Sequence, residues 1–70
     1  MNITVNGEAK SFSDQTLTID ALLKASKVQN PQLVTVQHNG NFVDQAQYAA
    51  EIVKENDEVD FLYFLGGGGL

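Results

Sequence analysis

The strongest constraint in this chain is an almost unbroken apolar run over positions 59–65, Val-Asp-Phe-Leu-Tyr-Phe-Leu, that passes directly into four glycines and a leucine. Val, Phe and Tyr favour a pleated, packed surface, so the run predicts a strand. It is apolar on both faces except at Asp60, which calls for neighbouring strands on both sides rather than an edge position. Glycine has no side chain to pack and carries the largest entropic cost when ordered. The run therefore predicts a folded domain over 1–65 followed by a flexible glycine-rich tail over 66–70.

The segments before it read in order. Asn2-Ile3-Thr4-Val5 alternates into Asn6-Gly7, and the chain resumes at Glu8. Asn-Gly is the strongest short hairpin signal, because a type I′ turn needs positive φ at both central residues. Ile3 and Val5 share the expected core face. Thr18 then predicts a helix N-cap, and Ile19, Leu22, Leu23 and Ser26 follow the spacing of one helical face. Asp20 early and Lys24 and Lys27 late suit the helix dipole. Asn30-Pro31 bars continuation, so the helix is expected over about 19–28.

A third strand is expected over 33–38, a second Asn-Gly turn at Asn39-Gly40, and a short fourth strand over 41–43. Asp44, with Gln47 three residues on, predicts a capping-box variant opening a brief helix through Ala50. Tyr48 and Ile52 are expected to tuck under the sheet, and residues 55–57 to form a polar turn into the final strand. One helix with a single apolar face needs a sheet to cover it. The first and last strands are expected to pair at the centre of that sheet. The fold class is α+β: a β-grasp (ubiquitin-like) roll, a mixed sheet of about five strands packed on one main helix.

Composition excludes several classes of function. A chain of 70 residues buries only about 60% of its unfolded surface, so its stability is expected to be modest. It has no cysteine, hence no thiolate nucleophile and no Cys-based metal site. Nine Asp and Glu face four Lys and no Arg, a net charge of −5 that argues against nucleic acid as a partner. No stretch approaches the ~18 apolar residues of a membrane span, and no secretory leader is visible. The expectation is a cytoplasmic protein without membrane contact.

With these segments in place, the chain resembles the small β-grasp sulfur carriers, and most closely the ThiS family of thiamine biosynthesis. The resemblance rests on the opening strand into Asn6-Gly7, the helix start Thr18-Ile19-Asp20-Ala21-Leu22-Leu23, and the segment over 34–40. It continues over 53–59 and into Phe64-Leu65-Gly66-Gly67-Gly68. Such a resemblance implies that an E1-like adenylyltransferase (ThiF-like) uses ATP to adenylate the C-terminal glycine carboxylate. Sulfur transfer then makes a thiocarboxylate, from which a thiazole synthase (ThiG-like) takes sulfur. The protein would be a carrier and cosubstrate rather than an enzyme, with no cofactor of its own.

The tail itself suits that chemistry. A carboxylate set beside an ATP phosphate in a closed site must arrive on bare backbone, because side chains would clash with a narrow channel. Four residues span at most ~14 Å, enough to thread into a partner while the folded body stays outside. Ordering the tail costs roughly 1–2 kcal/mol per residue, so body contacts must supply most of the affinity. The expected adenylation site is Gly69, with Gly68 as the alternative register and Gly66 and Gly67 as the approach. Members of such a family commonly end in glycine, whereas Leu70 follows here. Its removal is expected to need a protease, of the zinc-dependent deubiquitinase-like kind.

Alternation along the last strand suggests where a partner docks. If Val59, Phe61 and Tyr63 face the helix, then Asp60, Leu62 and Phe64 face outward beside the tail, an apolar patch suited to the activating enzyme. His38 reads as a surface residue beside a turn, since nothing in the spacing supplies an orienting carboxylate. Asp57, Glu58 and Asp60 lack calcium-loop spacing and read as a solvated turn, or as a contact for a basic partner. No metal site is expected. Two other functions fit the same residues: a sulfur carrier for molybdopterin or for homocysteine or cysteine synthesis, and a β-grasp interaction module whose tail has no chemistry.

Overall fold

A computed structural model describes residues 1–28 and 30–63. Its strands are β1 (Asn2–Val5), β2 (Glu8–Ser11), β3 (Leu17–Thr18), β4 (Val34–His38), β5 (Asn41–Val43), β6 (Ile52–Val53) and β7 (Glu58–Tyr63). Among the described residues one α-helix, α1 (Ile19–Ala25), follows β3, and 3₁₀ turns occupy Pro31–Leu33 and Gln45–Gln47. Among the described residues no helix is long and apolar enough to cross a membrane.

Both Asn-Gly pairs make the hairpins their chemistry demands. Asn6 and Gly7 take φ of 52° and 81°, and Asn39 and Gly40 take 53° and 86°, the two positive values of a type I′ turn. β1 thus returns as β2, and β4 as β5. The five-stranded sheet runs β2-β1-β7-β4-β5, with β7 in the middle. β7 is parallel to β1 at Thr4↔Glu58 and Val5↔Val59, and antiparallel to β4 from Val34↔Tyr63 to His38↔Val59. The apolar run of the last strand needed two neighbours, and the sheet provides them.

Thr18 caps α1, its side-chain oxygen accepting from the Ala21 N–H at 3.0 Å. Asp20 pairs with Lys24 one turn on at 3.2 Å. Ile19, Leu22 and Leu23 are fully buried against Ile3, Val5, Val34, Val36, Val59 and Phe61 of the sheet. The helix is shorter than its periodicity predicts. Lys27 turns left-handed at φ 60°, with its N–H on the Lys24 carbonyl and the Val28 N–H on that of Leu23. That double bond pattern closes a helix at once. Ser26 becomes the exposed C-cap rather than a member of the core face.

Three further expectations are corrected. Ile52 is 44% exposed, and Val53 is the buried residue, because β6 pairs with β3 in a separate two-stranded ladder that turns alternate residues outward. Elements of two residues are too short to leave a pattern in sequence. Asp44 makes no side-chain cap. Instead its carbonyl accepts the Gln47 N–H at 2.8 Å, which builds a 3₁₀ turn in place of a helix. Leu33 belongs to the first 3₁₀ turn and is exposed, so β4 begins at Val34. Tyr48 is buried as expected and donates its hydroxyl to the Val34 carbonyl at 2.8 Å.

Candidate docking face and the end of the central strand

Each residue of β7 is directed by its register. Val59 and Phe61 point into the core, while Asp60 and Leu62 lie on the opposite, open face of the sheet. Across the ladders Asp60 stands beside Gln37, Gln37 beside Phe42, and Leu62 beside Thr35. The open face therefore brings Phe42, 68% exposed, onto the same surface as Leu62, 37% exposed. Phe42 is absent from the sequence-derived site. The signal was present: Val43 had to face the core opposite Val36, which leaves Phe42 outward. A strand of only three residues made that alternation easy to pass over.

Charge is divided between the faces. Glu58 and Asp60 lie on the open side of β7. All four lysines lie elsewhere: Lys10 is opposite the buried Ile3, Lys24 is in α1, Lys27 follows it, and Lys54 precedes β7. An apolar pair beside carboxylates, with no local cation, suits a partner whose contact surface is basic around an apolar centre. Of the sequence-derived site residues, Asp60 and Leu62 are placed on this face. Phe64, Gly66, Gly67, Gly68, Gly69 and Leu70 lie outside the described residues, as does the side chain of Tyr63.

Asn6 sets where β1 stops accompanying β7. Its backbone N–H reaches the Val59 carbonyl at 3.0 Å. Its side-chain oxygen accepts the Phe61 N–H at 2.8 Å, in the place a further strand residue would occupy. A turn asparagine thus fixes the first and last strands together as well as reversing the chain.

His38 is not the surface residue expected. Its side chain is 10% exposed, with Nδ1 2.8 Å from Glu51 Oε2 and Nε2 2.7 Å from Asp57 Oδ2. Burial pushes its pKa down, but the hydrogen bonds and charges of Asp57 and Glu51 outweigh burial and raise it above the ordinary histidine value. Asp57 is likewise more than a solvated turn residue. It accepts from the Lys54 N–H at 2.9 Å and the Asn39 side chain at 3.2 Å. Burial pushes its pKa up, yet the Lys54 N–H, His38 and Asn39 together bring it below the usual carboxylate range. Sequence spacing gave no sign of this cluster, because its members meet only through the sheet register and the connection between β6 and β7. Among the described residues no group of His, Cys, Asp and Glu is arranged to hold a metal ion.

A mixed five-stranded sheet wrapped on one helix, with the first and last strands parallel at its middle, defines a β-grasp, ubiquitin-like protein. The same arrangement is found in the crystal structure of the thiamine biosynthesis protein (ThiS) of Geobacter metallireducens. That structure is 42% identical, covers 97% of this chain and 100% of that one, and superposes with a TM-score of 0.88. The solution structure of a thiamine biosynthesis protein from the same organism is also 42% identical. It covers 100% of this chain and 91% of that one, with a TM-score of 0.81. The profile of the ThiS family matches residues 3–68, and this chain belongs to the ThiS family.

Two curated relatives, both called thiazole synthase, come from Paramagnetospirillum magneticum and Magnetococcus marinus. They are 34% and 32% identical over 68 residues, which is 97% of this chain. The chain spans about a fifth of their length, 20% in each case.

Proposed function

We propose that this protein is a sulfur carrier of thiamine biosynthesis whose working group is the carboxylate of a C-terminal glycine. The observation that most directly supports the reading is the reach of the family match. It runs to residue 68 and so takes in Gly66, Gly67 and Gly68 together with the sheet that precedes them. A central strand with side chains on both faces, leading into bare backbone, is the arrangement that a buried activation site requires.

In this reading a carboxylate oxygen of Gly69, or of Gly68, attacks the α-phosphorus of ATP inside an E1-like, ThiF-like enzyme, and pyrophosphate leaves. A sulfide-level donor then attacks the acyl-adenylate carbonyl, AMP departs, and a thiocarboxylate remains. A ThiG-like thiazole synthase takes the sulfur and returns the carboxylate, so the chain acts as a cosubstrate. Its own residues contribute docking: Leu62 and Phe42 as apolar contacts, Asp60 as the anionic one, and Phe64 as a further contact next to the tail. In this proposal Leu70 is cleaved off before Gly69 reacts, with a processing metalloprotease as the third partner.

The test uses the full chain, forms ending at Gly69 and at Gly68, and a form lacking residues 66–70, each incubated with ATP and the host's ThiF-like enzyme. Intact mass should show an AMP adduct on the form ending at Gly69 or on that ending at Gly68, and none on the truncated form. No adduct on any form would overturn the reading. Deletion of the gene should create a requirement for the thiazole moiety. A requirement for molybdopterin, homocysteine or cysteine instead would keep the carrier chemistry and move the pathway. A thiocarboxylated species that retains Leu70 would overturn the processing step.

A further inference from the structure

The connection from β5 to β7, residues 44–57, is fastened to the rest of the molecule at several points. Tyr48 is bonded to Val34, the Glu51 carbonyl accepts the Ile19 N–H at 2.9 Å, and the Asn56 N–H reaches the Asn2 carbonyl at 2.7 Å. Charged side chains fasten it as well: Glu55 Oε1 accepts the Asn2 N–H at 3.1 Å, and a pair of carboxylates meets His38, the last residue of β4. There Glu51, just before β6, and Asp57, just before β7, converge on the two ring nitrogens at 2.8 and 2.7 Å.

Neutral imidazole has one donor and one acceptor, and ionised carboxylates only accept. Two short contacts to two carboxylates can both be hydrogen bonds only if both ring nitrogens carry protons. The charged groups around the ring strengthen this. Glu51 comes from the segment before β6, Asp57 from the turn before β7, and Asp44, after β5, lines the same hollow. Asn39 and Asn41 of the hairpin are uncharged, and Val59 across the ladder is apolar. Lys54 reaches Asp57 through its backbone N–H, and its side chain belongs to an exposed residue.

We propose that His38 is a proton-operated latch: the imidazolium ties residues 51–57 to the β4–β5 hairpin, and loss of its proton frees the Glu51 end. The two carboxylates differ in how firmly they are held. Asp57 is 16% exposed and has Lys54 and Asn39 as additional donors. Glu51 is 39% exposed and has no other side-chain hydrogen bond among the described residues. A ring with one proton therefore keeps it on Nε2 toward Asp57, and Nδ1 then turns a lone pair toward Glu51. Repulsion opens that arm. Because the Glu51 carbonyl holds the first N–H of α1, and β6 follows directly, the opening loosens the helix start and the β3–β6 ladder. Both proton-linked signs agree. A raised histidine pKa means that the latch is fully engaged below the ordinary histidine value and is released as pH rises through the folded-state value.

His38 is the only histidine in the chain, so its ring Cε1–H resonance needs no assignment. Proton NMR of the full chain should give a midpoint above the ordinary value of about 6.5. Amide exchange at Ile19 and Val53, corrected for intrinsic base catalysis, should rise on the order of tenfold through the same midpoint. Glu51→Gln should lower the midpoint and remove that step while leaving the sheet amides of β4 and β7 protected. Should Asp57→Asn unfold the chain, Glu51→Gln still decides the matter. A midpoint at or below the ordinary value, or exchange with no step at the histidine midpoint, would overturn the latch.

Discussion

Asn6 Oδ1 and the Phe61 N–H meet at 2.8 Å across 55 positions of sequence, joining the first turn of the chain to the middle of its last strand. Asn6 is also held at φ 52°, a conformation most residues avoid. The two roles can be separated by substitution. Asn6→Gly keeps the turn but leaves a partly buried N–H without its acceptor, and should destabilise by about 1–3 kcal/mol in urea unfolding. Asn6→Asp retains both an acceptor and tolerance of positive φ, and should lose markedly less. Equal losses in the two variants would mean that the turn, not the bond to Phe61, is what matters.

Tyr48 offers a cleaner hydrogen-bond deletion. Its ring is buried, and its hydroxyl donates to the Val34 carbonyl at 2.8 Å. Tyr48→Phe keeps the packing and removes the donor, so a loss of about 1 kcal/mol is expected by thermal or urea unfolding. Tyr48→Ala should cost several times more, roughly 3–5 kcal/mol, because a cavity is added. In a domain this small, that loss would leave little folded protein.

The docking face can be tested without disturbing the core. Phe42→Asp and Leu62→Asp alter exposed positions on the open face and should leave unfolding midpoints nearly unchanged. Each should weaken binding to the ThiF-like enzyme by on the order of tenfold or more in calorimetric titration. Ile52→Asp, an exposed apolar position outside the five-stranded sheet, serves as the control and should bind normally. Normal binding by both open-face variants would move the interface elsewhere.

Acid should weaken the fold in a way that depends on Asp57. Its folded-state pKa lies below the unfolded value, so its contribution is present above the ordinary aspartate range and is lost as pH falls through the lowered value. Asp57→Asn should therefore be less stable than the native chain near neutrality, by about 1–3 kcal/mol. The gap should close in acid, as urea midpoints measured across the acid range will show. A gap that persists below both values would point to packing rather than charge.

Much of this architecture was legible because its signals are local. Two Asn-Gly pairs specified two hairpins, Thr18 marked the helix start, and the last strand's apolar faces required a central position. The single apolar helix face and the two-sided last strand together specified the β-grasp topology, and the ThiS profile match over residues 3–68 agrees with it. What escaped notice depended on distant partners. His38 acquires Glu51 and Asp57 only once β4, β6 and β7 are assembled, and no spacing rule connects positions 38, 51 and 57. The β3–β6 ladder and the capping of α1 at Ser26 escaped for a different reason. Elements of two residues have no period, and a left-handed Lys27 is set by the closing bonds rather than by its side chain. Ile52 faces outward because of the same short ladder.

Pairing β1 with β7 also bears on how the molecule comes into being. A ribosome delivers Thr4 and Val5 long before Glu58 and Val59, their neighbours in the finished sheet. Until that late segment emerges, β1 and β4 flank a gap, and only the two hairpins and the helix can form early. Closing so long a loop makes folding slow for a chain of this length. The sheet is therefore completed only once its last strand has left the ribosome, and the half-made chain exposes the apolar flanks of that gap to whatever chaperone stands at the tunnel exit.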